Sequence, residues 1–182
     1  MKLAPLMLLL FAACSGETAQ QAHSHPARTV SASASLASQD RDFLERAAQG
    51  NNAEVATGRL VDGRALRAEV VALGRMIAAD HVASQQQLAA IAAKKHIPLP
   101  SGLGEQQASY DRLVDLRRDD FDRAFIRTMI DDHQQAIELF RGEVAGGVDP
   151  ELKAYAAASL PKLEAHYQQV KALSSVAASP PR

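Results

Sequence analysis

The strongest constraint on this chain is a pattern that occurs twice. LGRMIAADH, ending at His81, and FIRTMIDDH, ending at His133, each place an Arg six residues before the His and an Asp directly before it. Counting back from His133 at helical spacing meets Met129, Phe125 and Phe121, and counting forward meets Ile137 and Phe140. That period is the apolar stripe of an amphipathic helix, and such a stripe has to face a core. Around His81 the same count meets Ile77, Leu73 and Val70 behind and Ser84, Leu88 and Ile91 ahead, while His166 lies between Leu163 and Val170 on a third stripe. Three helices are therefore expected, each turning one imidazole toward a shared interior.

The rest of the chain agrees with an all-α protein. Trp is absent, aromatic residues make up only 4%, and long stretches lack Pro, which favours helices over strands. A first helix is expected from Ser38 or Asp40 to Leu60, weakened in its middle by Gly50-Asn51-Asn52 and closed by the Asp62-Gly63 turn signal. A second runs from about Arg64 to His96 and stops before Pro98, because Pro disfavours helical geometry in the residue before it. After a loop containing Gly102 and Gly104, a short helix near Gln106 to Leu116 leads to Asp119-Asp120, which suits the start of a third long helix ending near Ala145. Asp149-Pro150-Glu151 reads as an N-cap, a Pro at the first helical position and an acid in the first turn. It opens a fourth long helix reaching about Leu173, with Pro161 expected to kink it. Four long amphipathic helices joined mostly by short turns are expected to bury their stripes in an antiparallel four-helix bundle over residues 39–173, with the short helix between the second and third.

The first residues read as an export signal over 1–13: Lys2 is cationic and Leu3 to Ala13 are apolar, too short a run to span a membrane well. Phe11-Ala12-Ala13-Cys14 resembles a bacterial lipobox, with Phe11 where Leu is usual, so Cys14 is the expected lipidation site. The alternative is an ordinary cleaved signal with a free Cys. By the same resemblance, Ser15 goes with an outer-membrane lipoprotein facing the periplasm. With one Cys no intramolecular disulfide can form. Residues 14–38 are rich in Ser, Ala, Gln and Thr and read as a disordered tether, in which His23 and His25 fit solvated linker better than a metal site. Residues 174–182 read as a frayed tail. The expected partner is a membrane, through the lipid. Nucleic acid is not expected, because 20 basic and 21 acidic residues nearly cancel without a basic cluster. No protein partner is legible.

His81, His133 and His166 lie about 18, 14 and 17 residues into their helices, so their levels agree within one or two turns at about 1.5 Å per residue. Glu54 or Glu45 on the first helix can supply a carboxylate, and Glu54 has the smaller and more apolar neighbours. Three imidazoles and Glu54 form a candidate ligand set for zinc, copper, iron or manganese, with Asp80, Asp132 and Glu164 as outer acceptors orienting the rings. The alternative is a set of core histidines, each hydrogen-bonded and binding nothing. Glu-x-x-His, the pair that serves dinuclear iron bundles, is absent, and an adjacent Asp-His pair diverges by about 100° around a helix, which disfavours ferroxidase chemistry. Met76 and Met129 read as core filler, and Arg75 and Arg127 as exposed ion pairs. No nucleophilic triad or phosphate-binding Gly loop is present.

Asp42-Phe43-Leu44, Ala47-Ala48-Gln49-Gly50-Asn51, Ala53-Glu54-Val55, Asp80-His81, Phe121-Asp122, Met129-Ile130 with His133, and Leu160-Pro161 with Leu163 and His166 resemble the ferritin-like family known as domain of unknown function 4142. The resemblance implies a bacterial envelope protein with a ferritin-like fold and no established activity, and Glu54, Asp80, His81, His133 and His166 as its recurring polar residues. The segment from Phe121 to Phe140 also resembles a related ferritin-like family with a paired His-His motif, but Asp132 stands at the first His position. The expected function is a non-enzymatic envelope lipoprotein that binds a transition metal or serves stress tolerance. A metal-dependent oxidoreductase and a purely structural or partner-binding domain are the alternatives.

Overall fold

The computed structural model describes residues 36–177, with side chains as far as residue 174. The expected signal peptide, Cys14 and nearly all of the tether therefore lie outside the described residues, as does most of the tail. Among the described residues there are five α-helices: α1 (Ser38–Arg59), α2 (Ala68–Lys94), α3 (Gln107–Val114), α4 (Arg118–Gly146) and α5 (Pro150–Ala177). A 3-10 turn at Gly104–Gln106 leads into α3. None of these helices is long and apolar enough to cross a membrane.

The four long helices pack as a closed ring in which every neighbour is antiparallel. On α1 and α2, Asn51 meets Gln85 while Gly58 meets Gly74, so one helix rises as the other falls. On α4 and α5 the matching pairs are Arg141 with Glu164 and His133 with His166. Phe43 stacks edge-on against Phe140 at 5.0 Å to join α1 to α4, and Lys95 pairs with Asp149 at 2.6 Å to join α2 to the start of α5. It follows that α2 and α4 run in the same direction across the diagonal.

The expected short turns join α1 to α2 and α4 to α5, and the expected loop and short helix lie between α2 and α4. Consecutive parallel helices need a return along the whole bundle, and residues 95–117 with α3 supply it. The return lies against α1, where the Asn52 side-chain amide donates to the Pro100 carbonyl at 3.1 Å and the Gly102 carbonyl at 3.2 Å. The Gly50-Asn51-Asn52 segment does not interrupt α1, because both Asn side chains bond to other elements and so offset poor helix propensity. Likewise α5 carries on past Pro161.

A buried Asp fastens each end of the ring. Asp40 on α1 accepts the backbone N–H of Val148 at 2.8 Å and of Asp149 at 3.1 Å, holding the α4–α5 turn. Asp149 in turn accepts the N–H groups of Glu151 and Leu152, which is the N-cap read from the sequence. At the other end Asp122 on α4 accepts the N–H groups of Leu66 and Arg67, both at 3.0 Å, and the Arg67 guanidinium at 3.2 Å. Charge-assisted bonds to backbone N–H are strong, and here each joins a turn to a helix distant in sequence.

The apolar interior is divided in two. Phe43, Leu44, Leu88, Phe140, Leu152 and Leu163 belong to one cluster, and Val61, Ile77, Phe121, Phe125, Met129 and Val170 to the other. On α2, α4 and α5 the histidine falls between the two sets, so the imidazoles occupy a layer across the middle of the bundle. Near the second cluster α1 and α2 approach so closely that a Cβ on Gly58 would lie 2.6 Å from the Gly74 carbonyl oxygen. Gly58→Ala is expected to force the helices apart and cost about 1–3 kcal/mol, by the usual penalty for overpacking, read as a lowered midpoint in thermal or urea unfolding. An unchanged midpoint would contradict this contact.

Candidate metal centre

His81 from α2, His133 from α4 and His166 from α5 meet in the middle layer. They are 5%, 0% and 2% exposed, and their ring centroids lie 5.3 to 5.7 Å apart. One ring nitrogen from each lies within 4.8 Å of the other two. The helical stripes bring each His inward, but the direction of each lone pair is set by a partner from elsewhere.

The His133 Nδ1–H donates to the Met129 carbonyl one turn back at 2.9 Å, which leaves Nε2 as a bare acceptor. The His166 Nε2–H donates to Asp80 Oδ2 at 2.9 Å, which leaves Nδ1 bare. His81 Nδ1 faces Asn51 Oδ1 at 2.9 Å. The Asn51 amide nitrogen donates to Gln85 Oε1 and to the Tyr155 hydroxyl, so its oxygen is the atom turned to His81 and the ring must donate from Nδ1. His81 Nε2 is buried and has no hydrogen-bond partner. Three bare nitrogens, one from each helix, are thus left to the interior.

Two of them already face each other, with His133 Nε2 and His166 Nδ1 3.3 Å apart. Neither has a proton to give, so the contact is repulsive unless a proton or a cation lies beside it. Two nitrogens bound to one tetrahedral ion at about 2.0–2.1 Å are separated by about 3.3–3.4 Å, so this spacing fits a shared metal. Burial keeps the rings neutral. Desolvation, followed by the charges of His133 and His166, lowers His81 to about 3, and desolvation lowers His133 to about 4 against the opposing bond to Met129. His166 is lowered by burial, with Asp80 offsetting part of the effect. Neutral imidazoles are the form a metal needs, so no proton must be displaced near neutral pH.

The other candidate residues separate into those that touch this cluster and those that do not. Asp80 acts on His166, across the α2–α5 interface, rather than on its sequence neighbour His81. Its second oxygen takes the Lys162 ammonium at 2.7 Å, and although burial raises the carboxyl, bonds from Lys162 and His166 hold it below its ordinary value. Glu54 corrects the expected ligand set. Its Oε1 lies 3.3 Å from His133 Nδ1, on the opposite edge of the ring from the nitrogen facing His166, so it stands behind the cluster. Burial raises the Glu54 carboxyl to about 8. Asp132 does not orient a ring either. It lines a cavity beside Glu54, and burial followed by the Glu54 charge raises it to about 7. Glu164 points away and pairs with Arg141 at 2.6 Å on the outside of the α4–α5 pair. Neighbouring positions on a helix diverge, so Asp132, one residue before His133, is turned to the side yet stays buried, and Glu164, two residues before His166, faces outward.

Sequence reasoning missed Asn51, Tyr155 and the Met129 carbonyl. Asn51 lies in a segment read as a weak spot in α1, and only its position against α2 and α5 reveals its role. Nothing local distinguishes it from a surface Asn.

A model of the family described as Domain of unknown function (DUF4142) matches residues 25–173. The chain belongs to this family. No curated protein matches the DUF4142 chain in sequence. Among solved structures, a DUF305 fragment from Deinococcus radiodurans superposes with a TM-score of 0.69 at 16% identity, covering 77% of this chain and 97% of that one. The putative secreted DUF305 protein from Streptomyces coelicolor gives 0.67 at 15% identity, covering 78% and 93%. CopM in its Cu(II)-bound form gives 0.64 at 21% identity, covering 75% and 95%. The DUF4142 chain therefore has the helical fold of the DUF305 proteins.

The His81 environment gives a pH dependence whose sign is fixed. The unfolded ring binds a proton below about 6.5, whereas the folded ring resists protonation down to about 3, so this group withdraws stability as pH falls from 6.5 toward 3. In metal-free protein, the stability of wild type relative to His81→Gln is expected to decline steadily from pH 7 to pH 4 in thermal unfolding. A difference independent of pH would show that His81 is not buried as a neutral ring.

Proposed function

We propose that this protein binds one transition-metal ion through His81 Nε2, His133 Nε2 and His166 Nδ1, and that copper is the ion it takes. The observation that carries the reading is the facing pair of unprotonated nitrogens at 3.3 Å beside the unpartnered nitrogen of His81. An all-imidazole set with no carboxylate among the direct ligands favours copper or zinc over manganese and calcium. CopM, which shares the fold, has been solved with Cu(II), with Cu(I) and with Ag, and that supports copper. Asp80 and Asn51 would hold the rings of His166 and His81 in the ligating tautomer. With one mononuclear, all-imidazole set, the reading is capture of metal rather than oxidative turnover.

We further propose that the bundle is of the ferritin-like type and that it sits in the bacterial envelope. The single long return between α2 and α4 supports the first, since one long crossover is the connectivity of ferritin-like bundles. The apolar run before Cys14 supports the second, with the domain anchored by a lipid on Cys14 in the outer membrane facing the periplasm. Holding copper there would serve tolerance to metal stress.

Untagged protein titrated with copper is expected to bind one equivalent and to gain about 2.7 kcal/mol of unfolding stability when free metal stands at a hundred times Kd. His133→Gln and His166→Gln should lose the stoichiometric site, and Asp80→Asn should weaken it by about 10- to 100-fold. No copper-dependent rise in stability in wild type would remove the proposal. For the anchor, mass spectrometry of the native protein is expected to find a diacylglyceryl group on Cys14, and Cys14→Ala to release the domain from the membrane fraction. An unmodified Cys14 in mature protein would contradict it.

A further inference from the structure

Beside Glu54, the α2–α4 return roofs a second space, which His81 of the imidazole cluster also borders. It is a cavity of about 50 Å³ lined by Glu54, Asp132, Gln49, Gln106, Gln135 and His81, with apolar side chains such as Leu139 and Leu163 among the rest. That is room for a few waters or a partly hydrated ion. Glu54 is only 5% exposed, and its Oε2 is buried without a hydrogen-bond partner. Asp132, 8% exposed, faces the same space from α4. A buried carboxylate oxygen left unpartnered is costly, and two carboxylates at one cavity repel each other, a cost that either protons or a cation between them relieves.

Among the described residues, the two arginines near the cavity are engaged elsewhere. Arg46 borders the cavity, but its guanidinium is shared between Asp42 at 3.8 Å and Glu105 at 3.9 Å, which balance it at the rim. Arg112, the cation that acts on Asp132, donates to Ser109 at 2.8 Å on the outer surface of the return. Its lining offers the carboxylates of Glu54 and Asp132 and the side-chain amides of Gln49, Gln106 and Gln135, with space for water. Hard divalent cations such as Mg²⁺, Mn²⁺ and Ca²⁺ take ligands of this kind, whereas the imidazole cluster presents only nitrogen.

We infer that the cavity under the return is a second, separate cation site, in which Glu54 and Asp132 hold a hard divalent ion with amide oxygens and water completing its shell. The two sites are neighbours: Glu54 contacts the Nδ1 edge of His133, whose Nε2 edge faces His166, and His81 borders the cavity. Although His81 borders the cavity, Glu54 and Asp132 are not among the three imidazoles, so this site does not depend on the copper reading.

Mn²⁺ is the probe, because its sharp hyperfine EPR signal in water collapses on binding. One equivalent added to wild type is expected to lose most of that signal. Glu54→Gln and Asp132→Asn, which keep side-chain shape, should each weaken Mn²⁺ binding about tenfold or more while leaving copper binding in place. His166→Gln should keep Mn²⁺ and lose copper. Mn²⁺ bound in wild type should also broaden the side-chain amide NMR signals of Gln49 and Gln135, a measurement that needs no variant to fold. An undiminished aqueous signal with wild type overturns the inference. So does retention of Mn²⁺ by both carboxamide variants, its loss in folded His166→Gln, or broadening confined to other residues.

Discussion

Everything in the middle of this bundle depends on three neutral imidazoles buried between two apolar clusters with their N–H groups bonded outward. A core His that donates one proton and keeps one lone pair still needs a partner for that lone pair, and here the three lone pairs are left to one another. Burial holds the rings neutral, so the layer cannot relieve the repulsion by taking up protons near neutral pH. What stabilises the apolar core on either side thereby creates an unsatisfied, electron-rich centre that a metal ion would complete.

The topology determines how that centre is supported. All four neighbouring pairs are antiparallel, yet α2 and α4 are parallel across the diagonal, so the two copies of the Arg-to-Asp-His pattern point their rings at each other from opposite corners. The return needed to connect them lies over α1 and encloses the cavity of Glu54 and Asp132. The two ends of the ring are held by Asp40 and Asp122, each on one helix and each accepting two backbone N–H groups from the turn joining two others. These bonds fix the axial register on which the meeting of the three rings depends.

Much of the fold was legible in the chain. The Asp149-Pro150-Glu151 signal marked the start of α5 to the residue, and the periods around His81, His133 and His166 named the inward faces of three helices. The connection between α2 and α4 was read only as a loop and a short helix, because local sequence carries no information on which end of the bundle the chain must reach. Glu54 and Asp132 were read as members of one site with the imidazoles. The structure puts Glu54 at the far edge of His133 and Asp132 in a cavity beside Glu54, and it turns Glu164 outward to Arg141. A helical stripe gives the face of a side chain within roughly one residue, which is too coarse to tell the two edges of one ring apart.

By itself the sequence determined helix type, the extents of the long helices and the burial of three histidines, because propensity, capping and apolar period act over a few residues. The tertiary structure alone decided which nitrogen of each ring stays bare. That depends on the Met129 carbonyl for His133, on Asp80 from α2 for His166 and on Asn51 from α1 for His81. A hydrogen bond across helices is a matter of ångströms and angles between segments far apart in the chain, and no pattern along one helix encodes it.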